Sequence, residues 1–188
     1  MRIHEILTLT EGRKTNPLSV TAYHGTSDAN IAFRSFAHFG SLRAASHRLL
    51  FRMQTARDHH RPEISTYVAT VQLTFKNVLR ITDDPGYDLE CSSIFSKVIS
   101  RKRLSDQLRA ALVVFKSNNP ALYNLSETAK LELAGILLED GIDGFVYKNR
   151  AEDKGSDSYI ILDSSSVHVD GIAVVTEEEL KKIFYKVK

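Results

Sequence analysis

Thr21-Ala22-Tyr23-His24-Gly25-Thr26-Ser27 reads as a short strand that stops at a glycine, and His38-Phe39-Gly40-Ser41 repeats an aromatic, a glycine and a hydroxyl residue fourteen positions later. A strand end that exposes backbone N–H groups beside a polar side chain can hold a ligand. Gly25 lets a flat ligand reach the backbone with no Cβ in the way. Phe39-Gly40-Ser41 opens a helix, and the free N–H groups of a helix start favour an anion such as a pyrophosphate. Glu152 falls in a polar loop between two apolar strands, a frame rigid enough for a carboxylate to act on a ligand.

Other constellations fit bland explanations better. His59-His60 has no Cys, Glu or third His at a ligand-like spacing, so no metal is expected. Gly25 and Gly40 make neither a dinucleotide fingerprint nor a phosphate loop. Ser27, Asp28 and the histidines lack a nucleophile elbow. Asp83-Asp84-Pro85-Gly86 is a turn, and Phe33, Phe36 and Phe39 are expected in the core rather than as a stacking platform. Cys91 is the only cysteine, which excludes an intrachain disulfide and a thiolate zinc cluster. A net charge of +2 is too mild to argue for nucleic-acid binding. No apolar run approaches the length of a membrane helix, and no secretory core follows the N-terminus.

The elements that must position these residues follow from periodicity. Residues 1–16 read as a short amphipathic helix and a polar linker, and 17–188 as one domain. Val20–Tyr23 is a strand. Ser41 caps a helix from Leu42 to about Gln54. Ile64 to Ile81 alternates apolar and polar residues and reads as one long strand with a kink at Lys76-Asn77. Three helices fill about 87–141, near Leu89–Arg101, Ser105–Ser117 and Glu127–Asp140, with Ser105 and Ser126 as N-caps and Gly141 as a stop. The basic cluster Lys97, Arg101, Lys102, Arg103 and Arg109 reads as a solvated helix face, with contact to an acidic target as the alternative. Strands follow at Ile142–Tyr147, Ser158–Asp163 and Val167–Val175. Thr176 and Glu179 form a capping box for a last helix reaching Lys186. Strands at both ends with helices between them give an α+β class.

These motifs together resemble the ADP-ribosyltransferase fold. Tyr23-His24-Gly25-Thr26, and His38-Phe39-Gly40-Ser41 with the alanine-bearing helix behind it, look like the NAD-binding half of that fold. Val71 to Ile81 resembles the "L-x-x-K-N-P-L" strand of transferase-like domains in phage and mobile-element polyvalent proteins, with Val78 in place of the proline. Gly141-Ile142-Asp143-Gly144-Phe145-Val146-Tyr147-Lys148-Asn149 through Asp157-Ser158-Tyr159-Ile160-Ile161-Leu162-Asp163 is similar to their C-terminal signature. The resemblance covers about residues 20–170. It implies a single α+β domain with a split, mainly antiparallel sheet and a helical insertion over about 87–141.

The resemblance also implies roles. His24 would hydrogen-bond the nicotinamide-side ribose and Gly25 would hold the nicotinamide amide, with Tyr23 and Thr26 beside them. Phe39, Gly40 and Ser41 would line the nicotinamide pocket. Where the polymerase branch stacks a tyrosine on nicotinamide, this chain offers His47 or Leu49. The polymerase-type glutamate position is Ser158, whereas the loop glutamate of the polyvalent type falls on Glu152, the expected catalytic carboxylate. Breaking the nicotinamide–ribose bond develops positive charge on the ribose carbon, and a carboxylate beside the 2′-hydroxyl stabilises it. The implied reaction is transfer of ADP-ribose from NAD, without a metal, to a host protein or nucleic acid, by a phage-encoded effector in the host cytoplasm and away from membranes. Leu9-Thr10-Glu11-Gly12 matches the short site cut by the prohead protease of tailed phages, so residues 1–11 are either a packaging peptide, removed from an enzyme carried in the virion, or a plain linker. Two alternatives stay open. One is an inactive NAD- or nucleotide-binding interaction module. The other is an NAD-dependent RNA 2′-phosphotransferase, which requires Arg34, Arg43 and Arg48 to converge on the pocket.

Overall fold

The first strand, β1 (Leu18–Thr26), is longer at both ends than the four residues expected at Val20–Tyr23, because it pairs along its whole length with residues 67–75. The computed structural model describes residues 17–82, 91–101 and 104–185. The N-terminal helix and packaging peptide, the Asp83–Gly86 turn, Lys102, Arg103 and the expected helix end at Lys186 lie outside the described residues. A two-residue strand, β2 (His38–Phe39), follows β1. Ser41 then starts α1 (Leu42–Asp58), its hydroxyl accepting the Ala44 N–H at 3.1 Å.

β3 (Tyr67–Phe75) and β4 (Val78–Arg80) replace the one long strand expected over 64–81. They belong to different sheets, so the kink at Lys76-Asn77 is a crossing point. Asp143 holds it. Its carboxylate accepts the backbone N–H of both Lys76 and Asn77, its own N–H donates to the Asn77 carbonyl, and the Asn77 amide donates to Gly141 O at 3.0 Å. The Lys76-Asn77 and Gly141–Gly144 motifs are thus two halves of one structural clasp.

The chain continues through α2 (Cys91–Ile99), α3 (Asp106–Asn118) and α4 (Glu127–Glu139). Ser105 and Ser126 cap the last two through their hydroxyls, and Gly141 takes φ +81, a left-handed stop after α4. Part of the basic cluster serves this unit rather than solvent or a target. Arg109 donates to Ile99 O and Arg101 O, and Arg101 donates to Arg80 O. β5 (Gly144–Lys148), β6 (Asp157–Ile161) and β7 (Val167–Val174) follow, and the Thr176–Glu179 capping box opens α5 (Glu177–Phe184).

One sheet has the order β1-β3-β7, all antiparallel, and the other β2-β6-β5-β4, where only β4 against β5 is parallel. The mixed, mainly antiparallel architecture is the α+β class read from the sequence. The strands' period of two sorts side chains into layers. Ala69, Val71, Leu73 and Phe75 of β3 meet Val146, Tyr159 and Ile161 of the second sheet, while Val68 turns the other way onto Leu49 and Leu180 of α1 and α5. Phe145, Tyr147 and Ile160 face outward onto α2–α4. The order is helices, sheet, sheet, helices.

A Cβ on Gly144 would lie 2.3 Å from Phe75 Cε1 and 2.8 Å from Ile160 O, so only glycine admits this contact between the sheets. Gly144→Ala is expected to lower stability by ~1–3 kcal/mol through overpacking, read by urea denaturation. A midpoint equal to that of the wild type would contradict the layer contact.

Candidate functional site

The two packed sheets are also joined by a backbone seam. Tyr23 N donates to Gly40 O at 2.9 Å and Gly40 N donates to Tyr23 O at 3.0 Å. The pleat then sets the directions of the residues around it. Ala22 and His24 face the second sheet, and Tyr23 and Gly25 face α1. A Cβ on Gly25 would meet Ala45 O at 2.7 Å and Leu49 Cγ at 2.8 Å. The missing side chain therefore serves the packing of α1, a different reason from the ligand approach expected from the sequence. Gly40 is similar, with its Cβ site 3.1 Å from Ser158 Oγ and 3.2 Å from Ala44 Cβ.

Beside the seam lies a cavity of about 390 Å³, within the range of small-molecule sites. Tyr23, His24, Gly25, Phe39 and Gly40 line it, and Glu152 reaches it from the β5–β6 loop. Six of the eight residues named from the sequence thus share one space. Thr26 and Ser41 are not among the lining residues. Thr26 Oγ1 accepts the Asp28 N–H, and Ser41 both caps α1 and donates to Asp153 Oδ2 at 2.6 Å. The helix start expected to attract an anion already has the Asp153 carboxylate beside it.

His24 is held on three sides. Phe33 and Phe39 pack against the ring at 5.3 and 5.4 Å between centroids, and Nδ1 lies 2.7 Å from the His38 carbonyl. A carbonyl only accepts, so Nδ1 carries the proton of the neutral ring and Nε2 presents a lone pair. Burial pushes the His24 pKa below its ordinary value. The His38 carbonyl opposes that shift, and Arg52 and Arg48 reinforce it. At neutral pH the cavity thus contains a neutral imidazole that can accept a hydrogen bond from a ligand hydroxyl.

Glu152 lines the same cavity, its side chain 23% exposed. Oε1 is 3.8 Å from Arg48 Nη1, and Oε2 accepts from Asn149 Nδ2 at 3.1 Å. α1 supplies Phe51 and Arg52, which the motifs did not point to, beside Arg48, expected at the pocket only under the phosphotransferase alternative. Arg48, Phe51 and Arg52 line the cavity from one helix face, with Phe51 60% exposed at its edge and Arg52 Nη1 reaching Gly25 O at 3.4 Å. Their i, i+3, i+4 spacing behind Ala44 and Ala45 was the available signal. His47 lines the cavity too, but its ring lies 4.7 Å from Phe184 of α5. Leu49 is fully buried under Gly25. Of the two stacking candidates, only His47 therefore reaches the cavity.

The three arginines of the phosphotransferase alternative do not converge. Arg34 pairs with Glu127 on α4 at 3.6 Å, Arg43 lies over the Phe184 ring, and only Arg48 lines the cavity. Among the described residues, no group of three His, Cys, Asp or Glu side chains could hold a metal ion, and no helix is long and apolar enough to cross a membrane.

The sequence matches no known family model and no curated protein. Among solved structures, a chain of the M. tuberculosis MbcT–MbcA toxin–antitoxin complex is similar at TM-score 0.44 and 12% identity, over 89% of this chain and 90% of that one. At that level the likeness carries neither a fold nor an activity across.

A histidine whose folded-state pKa lies below its unfolded value binds its proton more readily in the unfolded chain. The stability His24 contributes is therefore full above the ordinary value of 6.5 and falls as the pH drops toward its folded-state pKa. A ¹⁵N NMR titration is expected to show the Nδ1–H tautomer and a midpoint below 6.5. A midpoint at or above that value would contradict the burial.

Proposed function

We propose that this protein transfers ADP-ribose from NAD to a macromolecular acceptor, a protein or a nucleic acid, with the nicotinamide riboside seated between His24 and Glu152. The observation that carries this reading is that a neutral imidazole and a carboxylate, from opposite ends of the chain, face one cavity. His24 Nε2 accepts a ribose hydroxyl. Glu152 stabilises the positive charge that develops on the ribose carbon as nicotinamide leaves, and it orients the acceptor. Phe39 and Gly40 wall the nicotinamide side. Arg48 and Arg52 supply positive charge for the pyrophosphate, in place of the α1 start that Asp153 accompanies. No metal takes part. A phage-encoded effector acting inside a host cell fits this chemistry.

A second reading, an NAD-binding module without turnover, is favoured by Ser158 at the polymerase-type glutamate position. Ser158 is buried at 2% exposure and accepts from Asn149.

Incubation with labelled NAD and a bacterial lysate separates the two. Transfer of label to protein or nucleic acid is expected. Glu152→Gln is expected to cut transfer by about 10²–10³-fold while NAD affinity stays within about threefold, because the lost interaction belongs to the transition state. NAD binding without transfer by the wild type would favour the module, and an active Glu152→Gln protein would remove Glu152 from its role.

A further inference from the structure

Asn149 closes β5 at 3% exposure, and both ends of its side-chain amide are used. Oδ1 accepts three consecutive N–H groups, from Ala151 at 3.1 Å, Glu152 at 2.8 Å and Asp153 at 3.2 Å. Nδ2 donates to Glu152 Oε2 at 3.1 Å and to Ser158 Oγ at 3.2 Å. The three N–H groups fix which end is oxygen, since a flipped amide would aim donors at donors. The backbone of Asn149 is anchored as well, its N–H donating to Ser156 O and its carbonyl accepting from Gly155 N–H, each at 2.8 Å.

The two ends of this amide do different work. Folding residues 149–153 around one acceptor requires only an oxygen, and an aspartate would accept those three N–H groups more strongly than a neutral amide. The donor end adds nothing to that turn. It reaches across to the Glu152 carboxylate and ties it, through Ser158, to β6.

We propose that Asn149 is a positioning residue for Glu152, fixing its backbone through Oδ1 and its carboxylate through Nδ2. This rests on the reading of Glu152 as the transfer carboxylate. Nδ2 holds Oε2 and leaves Oε1 on the side of Arg48. A glutamate has three side-chain torsions to fix before its carboxylate can act at one ribose, and reactive groups must be held to within about 0.5 Å. A neutral donor does so without cancelling the negative charge that the transition state uses.

Asn149→Asp separates positioning from folding. It keeps the three acceptor bonds, removes both donor bonds and sets a second carboxylate against Glu152. The variant is expected to fold at reduced stability, because its new carboxylate is buried beside Glu152, to bind NAD within about threefold, and to lose turnover by about 10–100-fold, the usual cost of removing a partner that orients a reacting group. Relaxation of ¹³C-labelled Glu152, measured without NAD, is expected to show an ordered side chain in the wild type and a mobile one in Asn149→Asp, with the amides of Ala151, Glu152 and Asp153 still protected from exchange. Turnover within about twofold of wild type, or an equally ordered Glu152 side chain, would overturn the proposal. A wild type that transfers nothing would sink the transferase reading, and the relaxation comparison would still decide whether Asn149 holds Glu152.

Discussion

Tyr23 and Gly40 exchange two backbone hydrogen bonds, 2.9 and 3.0 Å long, where the two sheets meet. The site depends on this seam. It sets the phase of β1, so that Ala22 and His24 face the second sheet and Gly25 lies under α1. The same pairing brings Phe39 against His24 and puts Ser41 at the start of α1. A slip of one residue would turn every β1 side chain to the opposite face. Gly25 makes the slip costly, since a side chain in its place would meet Ala45 O and Leu49.

The cavity beside the seam is electrostatically mixed. Two arginines on α1 and one carboxylate on the β5–β6 loop flank an imidazole that burial keeps neutral. A dinucleotide requires the same separation of charge, with positive groups at its pyrophosphate and a negative group at the ribose carbon that becomes cationic. The Arg48–Glu152 distance of 3.8 Å is an ion pair too long for a good hydrogen bond. The firm hold on Glu152 comes instead from Asn149, which is neutral and buried.

Much of the fold was legible in the sequence because it is local. Ser41, Ser105, Ser126 and Thr176 cap the helices they precede, and the alternation over 67–75 is a strand with one face buried from Ala69 to Phe75 and the other partly so. Tertiary events were not legible. The break in alternation at Lys76-Asn77 marked a kink but not the passage into the second sheet; the cause is Asp143, whose partners lie far away in sequence. Gly25 could be read as open space for a ligand because its neighbours on α1 are distant in the chain. His24, Phe39 and Glu152 were found by type and order. Phe51 and Arg52 were harder to see, because a helix face rich in arginine is usually just solvated, and Arg48 was legible only as part of a trio that does not converge. Asn149 looks like any polar loop residue until its three backbone partners are counted.

The most direct test of this account is a crystal structure of the protein with a carbocyclic NAD analogue, whose nicotinamide–carbon bond cannot break. The nicotinamide half is expected in the cavity, with a hydroxyl of its sugar-like ring within hydrogen-bond distance of His24 Nε2 and the reacting carbon facing Glu152. An analogue bound elsewhere, or a cavity that stays empty at saturating analogue, would contradict it.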